Sequence, residues 1–414
     1  MEYYPRKIEK NLKPWIKRKE IVIIRGARQT GKTTLLKHLQ EEYGGKYFTL
    51  EDQEIKEAIE KDPKLFLESI KKEKIVYLDE VQYLKNAGKI LKFLFDLTEG
   101  KPKFVITGSG SFEIKVEIGR YLVGRCVYFE LFPLDFEEFL EWKNKELKEV
   151  YQRYRKEILD WLFDKRKRIK KEIIFEKEFL RHLKEYLIFG GFPAIVKEKE
   201  KENKIVLLRN LLRTYVEKDI FFFLGIRHFE KFLNVLKYLA FNITSLLEIS
   251  NISQELKIDY KTLRHYLNIL EETYLVKLIA PFYKNLSTEL KKVKKIYFLD
   301  LGLRNALLNN FLEIEKREDA GKILENYIFI EMKDIFEQIK YWRTTGKAEI
   351  DLIGIKNQKI YPIEVKSHQR KIERSFMSFL EKYNVKRGIV FSLGKVEERK
   401  IGKSKVLFVP HFLV

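Results

Sequence analysis

Short apolar runs alternate with longer amphipathic stretches in the first third of the chain. Continuously apolar strands are typical of sheets covered on both faces, and strands that alternate with helices favour a parallel sheet. The pattern therefore predicts an α/β domain over residues 1–132. Its predicted strands are residues 21–24, 47–50, 75–80, 104–109 and 127–131.

Apolar residues recur at helical spacing from residue 133 to residue 228, which predicts a helical lid. Within it, residues 143–177 are strongly charged but keep apolar residues such as Val150 and Trp161 at helical spacing. We interpret this stretch as a long helical insertion. Its basic run, residues 165–171, would either contact phosphates or form a solvated face.

Two short helices about a tight turn are predicted between residues 229 and 290. The turn is Lys257-Ile258-Asp259, and an apolar strand follows the second helix. This order is typical of a winged helix-turn-helix, whose second helix reads DNA. Lys261, Arg264 and His265 are predicted on its outer face, where they would meet phosphates or base edges. The alternative is a winged helix that only packs domains together.

A smaller α/β domain is predicted over residues 291–414, with its elements in an αβββαβ order. The two central strands are expected to be antiparallel, and period-2 alternation puts Glu364 and Lys366 on one face of the second. The assigned helices are 324–336 and 371–383, and the assigned strands are 348–353, 360–366, 388–392 and 406–409.

The loop after the first strand matches the spacing of a P-loop in full. Four residues separate Gly26 from Gly31, and Lys32 and Thr33 follow at the start of an amphipathic segment. Glycines let backbone N–H groups turn toward one anion, and the helix adds its positive end. Lys32 would reach the β- and γ-phosphates of ATP, and Thr33 would hold Mg²⁺. The predicted ATP-binding residues here are Gly26, Ala27, Arg28, Gln29, Thr30, Gly31, Lys32, Thr33 and Thr34.

Two neighbouring strands end in polar residues. Asp79 ends the third strand, where it would hold Mg²⁺ opposite Thr33, and Glu80 would orient and activate the attacking water. Thr107 and Ser109 end the fourth strand and are candidates for contact with the γ-phosphate or that water.

Arg120 and Arg125 stand between the fourth and fifth strands. Either would project to a neighbouring subunit as an arginine finger, which predicts a homo-oligomer; Arg125 is the preferred candidate. The alternative is a surface arginine without a catalytic role.

Composition adds a strong positive charge to this picture. Lys and Arg number 82 against 61 Asp and Glu, a formal net charge of +21, which suits DNA or another polyanion. A Lys/Glu-rich surface also fits a thermophile protein. The single cysteine, Cys126, excludes an intrachain disulfide and a Cys-based zinc site. A charged first segment and the lack of a long apolar run favour a cytoplasmic protein without a signal peptide or membrane span.

Residues 20–132 resemble an ATPase of the AAA+ superfamily. The runs at 79–82 (DEVQ), 131–140 (LFPLDFEEFL) and 190–193 (GGFP) are similar to those of a large, mainly prokaryotic ATPase family with a restriction-endonuclease-like C-terminal domain. The last run also resembles the Gly-x-Pro lid motif of signal-transduction ATPases. A Ser or Thr stands where the AAA+ sensor asparagine is usual.

The αβββαβ order resembles the PD-(D/E)xK nuclease core, and more closely its Holliday-junction-resolvase branch. This resemblance implies that Asp351 and Glu364 bind Mg²⁺ or Mn²⁺ through oxygen ligands. It also implies that Lys366 stabilises developing charge or positions water, and that Glu325 completes the metal shell. The alternative is a degenerate nuclease fold kept for binding or scaffolding.

The predicted architecture is therefore an AAA+ parallel sheet with a helical lid, then a winged helix and a smaller α/β nuclease-like domain. The leading functional prediction is ATP-dependent action on DNA, with branched DNA as one candidate substrate. The competing prediction is a nucleotide-gated signalling or scaffold ATPase with a non-catalytic nuclease-like domain.

Overall fold

A five-stranded parallel sheet forms the centre of the N-terminal domain. The structure, a computed structural model, describes residues 3–109, 120–166, 169, 172–216, 228–283, 289, 292–367 and 371–414. The five predicted strands are confirmed, each within two residues at either end. In space they lie in the order β2-β3-β4-β1-β5, and every neighbouring pair is parallel. The strands are β1 (Ile21–Gly26), β2 (Lys46–Thr49), β3 (Ile75–Asp79), β4 (Lys103–Ser109) and β5 (Cys126–Glu130).

Helices cover both faces of this sheet because its interior strands, such as β1, are apolar on both sides. Ile21 and Ile23 face one apolar cluster, whereas Val22 and Ile24 face the other, as the alternation of a strand requires. The first cluster is shared with α3, α4 and α5, and the second with α1 and α2. These helices are α1 (Lys7–Ile16), α2 (Lys32–Tyr43), α3 (Gln53–Lys61), α4 (Pro63–Ile70) and α5 (Ala87–Thr98).

The next segment is helical in its described residues, as the periodicity predicts. The charged insertion packs on the C-terminal domain: Trp161 is fully buried, and its Nε1 donates to Glu398 Oε2 at 2.7 Å. Of the predicted basic run, Lys165 and Arg166 are exposed, and residues 167, 168, 170 and 171 lie outside the described residues. The helices are α6 (Phe136–Lys143), α7 (Lys145–Leu162), α8 (Glu176–Phe189), α9 (Pro193–Lys197) and α10 (Lys201–Thr214).

Three helices and a two-stranded antiparallel hairpin follow. The Asp259 side chain accepts from the backbone N–H groups of Lys261 and Thr262 and thereby caps the third helix at its N-terminus. The predicted boundary after residue 290 falls between the two paired strands, so the hairpin lies across it. The elements are α11 (Phe229–Phe241), α12 (Ile249–Glu255), α13 (Tyr260–Glu272), β6 (Val276–Ile279) and β7 (Lys295–Phe298).

The C-terminal domain is built on a six-stranded mixed sheet, in the order β12-β13-β11-β10-β9-β8. The β9–β10 pair is antiparallel, as predicted, and β10, β11 and β13 run parallel. Strands β8 and β12 were not assigned from the sequence, but β8 completes the predicted αβββαβ order. The elements are α14 (Leu301–Leu307), α15 (Ala320–Met332), β8 (Gln338–Arg343), β9 (Glu349–Lys356), β10 (Lys359–Val365), α16 (Arg374–Lys382), β11 (Arg387–Phe391), β12 (Glu397–Ile401) and β13 (Ser404–Val409).

One large apolar core joins the helical segment, the hairpin and one face of the C-terminal sheet. At its centre the rings of Phe136, Tyr186 and Tyr327 lie 5.7 to 6.0 Å apart, so α6, α8 and α15 meet there. The other face of the sheet is covered by α16. The parts of the chain after residue 133 are thus held together by burial of apolar surface rather than by linkers.

Candidate functional site

The predicted P-loop lies between β1 and α2 in a conformation that its glycines permit. Gly31 has φ +96°, a left-handed value that favours glycine. A Cβ on Gly26 would lie 2.1 Å from the carbonyl oxygen of Leu131, so only glycine fits this close approach. The Lys32 ammonium is buried and donates to the carbonyls of Gly26 at 3.2 Å and Ala27 at 2.9 Å. The loop backbone therefore holds the lysine beside the N-terminus of α2.

Arg6 supports this loop, and the sequence did not indicate it. Its guanidinium donates to the carbonyl oxygens of Thr30 at 2.8 Å and Phe132 at 2.7 Å. It also forms a buried ion pair with Glu138, with 3.0 Å between Nε and Oε1. The arginine thus ties the P-loop to the first helix of the lid segment. In the sequence, Arg6 stands in a basic N-terminal stretch, and no signal there distinguishes it from the neighbouring surface lysines.

Asp79 and Glu80 lie at the carboxyl end of β3, next to β4. Asp79 is buried; Tyr47 donates to its Oδ2 at 2.7 Å, and the Thr107 hydroxyl donates to its Oδ1. Thr107 Oγ1 also accepts from the backbone N–H of Glu80 at 3.1 Å. Burial and the neighbouring Asp79 raise the pKa of Tyr47, which stays a donor. One threonine side chain therefore fixes both acidic residues.

The donor set of this site fits a magnesium nucleotide. A carboxylate has about four lone-pair directions, so Asp79 keeps acceptor capacity beyond its two hydroxyl partners. Thr33 is half-buried on the first turn of α2, and Ser109 pairs with Gly26 across the β4–β1 ladder. Arg28 is half-buried, whereas Gln29 and Thr34 are exposed. Oxygen ligands of this kind are those that Mg²⁺ prefers.

Arg125 lies at the amino ends of the strands, opposite the end that carries the P-loop. Its carbonyl oxygen accepts from Ile21 N at the start of β1. Its Nε donates to Asp96 Oδ1 of α5 at 2.6 Å, so the guanidinium is paired within its own chain. Arg120 is exposed, and its guanidinium carbon lies 5.7 Å from the centre of the Tyr121 ring. The arginine finger stays a prediction.

Asp351, Glu364 and Lys366 come together in the C-terminal domain. Lys366 Nζ lies 2.7 Å from Glu364 Oε1, and the backbone N–H of Val365 donates to Asp351 Oδ2 at 2.8 Å. Glu364 Oε2 is buried without a hydrogen-bond partner in the part of the chain that the structure describes. Burial, then Glu364 and Glu325, raises the pKa of Asp351. Burial raises the pKa of Glu364 to about 7, against the effect of Lys366.

A cavity of about 950 Å³ opens onto these residues. Its lining adds the acids Glu349 and Glu373 and the cations Lys347, Lys371 and Arg374 to Asp351, Glu364 and Lys366. Buried carboxylates raise each other's pKa unless a cation lies between them, so the unpartnered oxygen of Glu364 fits a divalent metal ligand. The cations beside it suit a phosphate-bearing ligand.

Glu325 joins the cluster through side chains of the hairpin. Lys295 Nζ lies 3.2 Å from Glu325 Oε1 and 2.5 Å from Glu349 Oε1, and the Tyr297 hydroxyl donates to Glu325 at 2.6 Å. Lys295 is the last residue of the basic run Lys291-Lys292-Val293-Lys294-Lys295, whose sequence predicts local positive charge in favour of DNA. That expectation is wrong for Lys295, because the residue is only 3% exposed and its ammonium contacts acids of its own chain. Lys291 of the same run lies outside the described residues.

Lys261, Arg264 and His265 are all exposed on α13, as predicted, and Leu263, Leu267 and Leu270 are buried. The hairpin, in contrast, packs inward. Phe282 N donates to the carbonyl oxygen of Tyr341 on β8, and the Tyr341 hydroxyl donates to Val293 O. The helix face is thus free of the packing that occupies the hairpin.

Two of the motifs behind the family resemblance are in direct contact. A Cβ on Gly191 would lie 2.0 Å from the carbonyl oxygen of Leu134, and Leu134 N donates to Gly191 O at 2.8 Å. The Asp300 carboxylate, whose pKa burial raises to about 6, accepts from Gly191 N at 2.8 Å. Glycine at 191 is therefore required by close packing of two chain segments.

Comparison with protein families divides the chain into three regions. Residues 18–140 match the AAA domain family. The N-terminal domain is of the AAA type. Residues 180–313 match a domain of unknown function (DUF8612), and residues 320–412 match another (DUF4143). The match to the AAA domain family covers the P-loop, Asp79 and Glu80, and so supports ATPase activity.

Two similar proteins from Methanocaldococcus jannaschii are uncharacterized. One from Methanocaldococcus jannaschii is 29% identical over 328 residues, which cover 76% of this chain and 66% of that protein. A second from the same organism is 25% identical over 418 residues, covering 95% and 84%. The crystal structure of a DNA replication initiation factor aligns with 64% of this chain and 86% of its own, at 19% identity and a TM-score of 0.25. A superposition this loose adds nothing to the assignment.

Among the described residues, no helix combines the length and the apolar character that crossing a membrane requires.

Proposed function

We propose that this chain is a DNA-associated ATPase, in which an AAA domain hydrolyses ATP with Mg²⁺ and the remaining domains act on DNA. The observation that carries the ATPase part is the buried Lys32 ammonium, which the P-loop backbone holds. In the same domain, Thr107 bonds the Asp79 carboxylate and the backbone N–H of Glu80. The match of residues 18–140 to the AAA domain family supports it.

Each residue has a separate task in hydrolysis. Lys32 and the N-terminus of α2 bind the phosphates and stabilise the charge that develops on them. Thr33 and Asp79 are the residues that would hold Mg²⁺, which supplies further charge neutralisation. Glu80 orients the attacking water. Thr107 bonds the carboxylate of Asp79 and the backbone N–H of Glu80. It thereby helps to orient Asp79 for the metal and Glu80 for the water.

Two variants test this assignment. Lys32→Ala should abolish ATP binding, because it removes the cation that the loop holds. Glu80→Gln should bind ATP but turn it over at least a hundredfold more slowly, because Asp79 is unchanged. ATP affinity and steady-state turnover are measured for both, with Lys64→Ala on the exposed face of α4 as control. Wild-type turnover in Glu80→Gln would remove Glu80 from the mechanism.

The assignment to DNA rests on charge and on two surfaces. We propose residues 1–132 as the ATPase core, 133–228 as a helical lid, 229–290 as a winged helix and 291–414 as a nuclease-like domain. The exposed Lys261, Arg264 and His265 would contact DNA, and Arg125 would act on a neighbouring subunit of a homo-oligomer. ATPase rates with duplex, single-stranded and four-way DNA test the proposal.

Glu364 Oε2, beside Asp351, has no hydrogen-bond partner among the described residues, which favours a second activity, metal-dependent cleavage of DNA. Asp351 and Glu364 would bind Mg²⁺ or Mn²⁺, and Lys366 would stabilise the developing charge. Asp351→Asn should then lose metal binding and cleavage but keep ATP hydrolysis. If wild type binds no metal and cuts no four-way DNA, the competing proposal of a signalling or scaffold ATPase gains. That proposal draws on the Gly190-Gly191-Phe192-Pro193 motif.

A further inference from the structure

Lys295 reaches the C-terminal acidic site from outside that sheet. It is the first residue of β7, in the hairpin that follows the three-helix segment. Its ammonium contacts Glu325 and Glu349, and Tyr297 contacts the same oxygen of Glu325. Because alternate residues of a strand share a face, both side chains point from β7 into the site. The hairpin therefore supplies part of the acidic site.

Ion pairs divide the carboxylates of this site into two groups. Glu325 and Glu349 are bound to Lys295, and Arg343 adds a 3.0 Å contact to Glu349. Oε1 of Glu325 thereby has both an ammonium and a hydroxyl as partners. These two acids are compensated within the protein.

The second group keeps free acceptor capacity. Glu364 is paired with Lys366 through Oε1 alone, and its Oε2 is buried and without a partner among the described residues. The backbone N–H of Val365 donates to Asp351 Oδ2. Asp351 and Glu364 lie on antiparallel neighbours, β9 and β10, and line the same cavity.

We propose that Lys295 is a positioning residue of this site: it neutralises Glu325 and Glu349 and leaves Asp351 and Glu364 to bind a single divalent cation. The inference rests on the proposed metal-dependent function. Within the acidic cluster itself, four carboxylates and the ammonium groups of Lys295 and Lys366 leave two formal negative charges, which one divalent ion balances. The other cavity-lining cations, Lys347, Lys371 and Arg374, are counted with the phosphate-bearing ligand that they suit. Adding Arg343 and Glu373, which pair with members of the cluster, leaves this balance unchanged.

Mn²⁺ binding to nucleotide-free full-length protein tests the inference, with stoichiometry read by electron paramagnetic resonance and affinity by calorimetry. Wild type should bind one ion that Asp351→Asn loses. Glu325→Gln should keep that ion with its affinity within threefold, because Lys295 already neutralises Glu325; the family resemblance, which makes Glu325 part of the metal shell, implies a loss of the ion instead. Lys295→Met should gain a second ion or bind the first at least tenfold more tightly, because Glu325 is released. Lys295→Arg is the conservative control and should resemble wild type.

The double variant Lys295→Met/Glu325→Gln removes the ammonium together with the acid that its loss releases, whereas Glu349 keeps its ion pair with Arg343; it should return to one ion at wild-type affinity. It also covers the case in which Lys295→Met alone fails to fold, and ATP turnover reports folding of the AAA domain. The inference is overturned if Glu325→Gln loses Mn²⁺ as Asp351→Asn does, or if Lys295→Met binds like wild type. If wild type binds no Mn²⁺ at all, the proposed metal site fails, and this inference fails with it.

Discussion

Thr107 is hydrogen-bonded to both acidic residues of the AAA site, to the side chain of Asp79 and to the backbone of Glu80. It is fully buried, its hydroxyl donates to Asp79, and its oxygen accepts from the backbone N–H of Glu80 at 3.1 Å. Thr107→Val keeps the shape of the side chain and removes both hydrogen bonds. We expect this change to impair hydrolysis while leaving ATP binding intact, because Lys32 and the P-loop backbone are not touched.

The size of the effect follows from the two bonds. A hydrogen bond to a charged group contributes about 1.5–3 kcal/mol and a neutral one about 0.5–1.5 kcal/mol. If the two hydrogen bonds contribute about 2–3 kcal/mol to stabilising the transition state, their loss should lower turnover roughly 30- to 150-fold, since about 1.4 kcal/mol is tenfold in rate. ATP affinity should change by no more than about threefold on the same scale.

The assay compares steady-state turnover with ATP affinity in Thr107→Val and Thr107→Ser. The serine variant keeps the hydroxyl and should retain most of the turnover. Tyr47→Phe removes the other hydroxyl from Asp79 and should give a smaller loss, because Glu80 stays in place. Wild-type turnover in Thr107→Val would refute the reasoning. So would an equal loss of ATP affinity, since that would mean the P-loop had moved.

The remaining predictions concern a buried ion pair, the outer face of α13 and a buried acid. Arg6→Met should lower the melting temperature and weaken ATP binding, because breaking a buried ion pair, here with Glu138, costs about 3–5 kcal/mol; unchanged calorimetric and ATP-binding curves would contradict this. Lys261→Ala with Arg264→Ala should lower the salt slope of DNA binding by roughly one per lost phosphate contact; an unchanged slope would put the DNA surface elsewhere. Burial raises the pKa of Glu331 from 4.5 to about 8, so between these pH values the folded state keeps a proton that the unfolded state has lost, and stability falls as pH rises. Between pH 5.5 and 8.5 the melting temperature of Glu331→Gln should therefore fall by less than that of wild type. Equal falls would exclude Glu331 as a cause of the pH dependence.

Local sequence was enough for the AAA site because its chemistry is local. Glycine spacing, an apolar strand and a following helix are all read within fifteen residues, and the structure brings Gly26, Lys32 and Asp79 into one domain. The parallel sheet was predicted for the same reason, since buried strands are continuously apolar. Strand β12 was missed because Glu-Glu-Arg-Lys-Ile has no apolar alternation. Charged residues on an edge strand are how sheets avoid pairing with other chains, so such a strand resembles a loop in sequence.

Long-range partners were beyond the reach of the sequence. Arg6 and Lys295 each stand in a basic stretch, where most cations are solvated. Both are buried here, because each meets a carboxylate from a distant part of the chain: Glu138 and Glu325 respectively. The sequence is identical for a solvated arginine or lysine and for one in a buried ion pair. Only the packing that excludes water from the side chain distinguishes the two cases.

Helix α15 shows how far the sequence could have gone. Nine of its thirteen residues are buried, and its apolar segment contains two acids, Glu325 and Glu331. A helix that is apolar on most of its faces must be covered on most of its faces, so both acids need partners from other elements. The structure provides different ones: Glu325 faces Lys295 of the hairpin, whereas Glu331 Oε1 accepts from Phe136 N at 2.8 Å at the start of α6. The two acids are six positions apart in the sequence, which is about 9 Å along a helix. Two acids in a largely buried helix thus require two separate polar partners for α15. Only the fold shows that the partner of Glu325 belongs to the acidic site and that the partner of Glu331 lies at the start of α6.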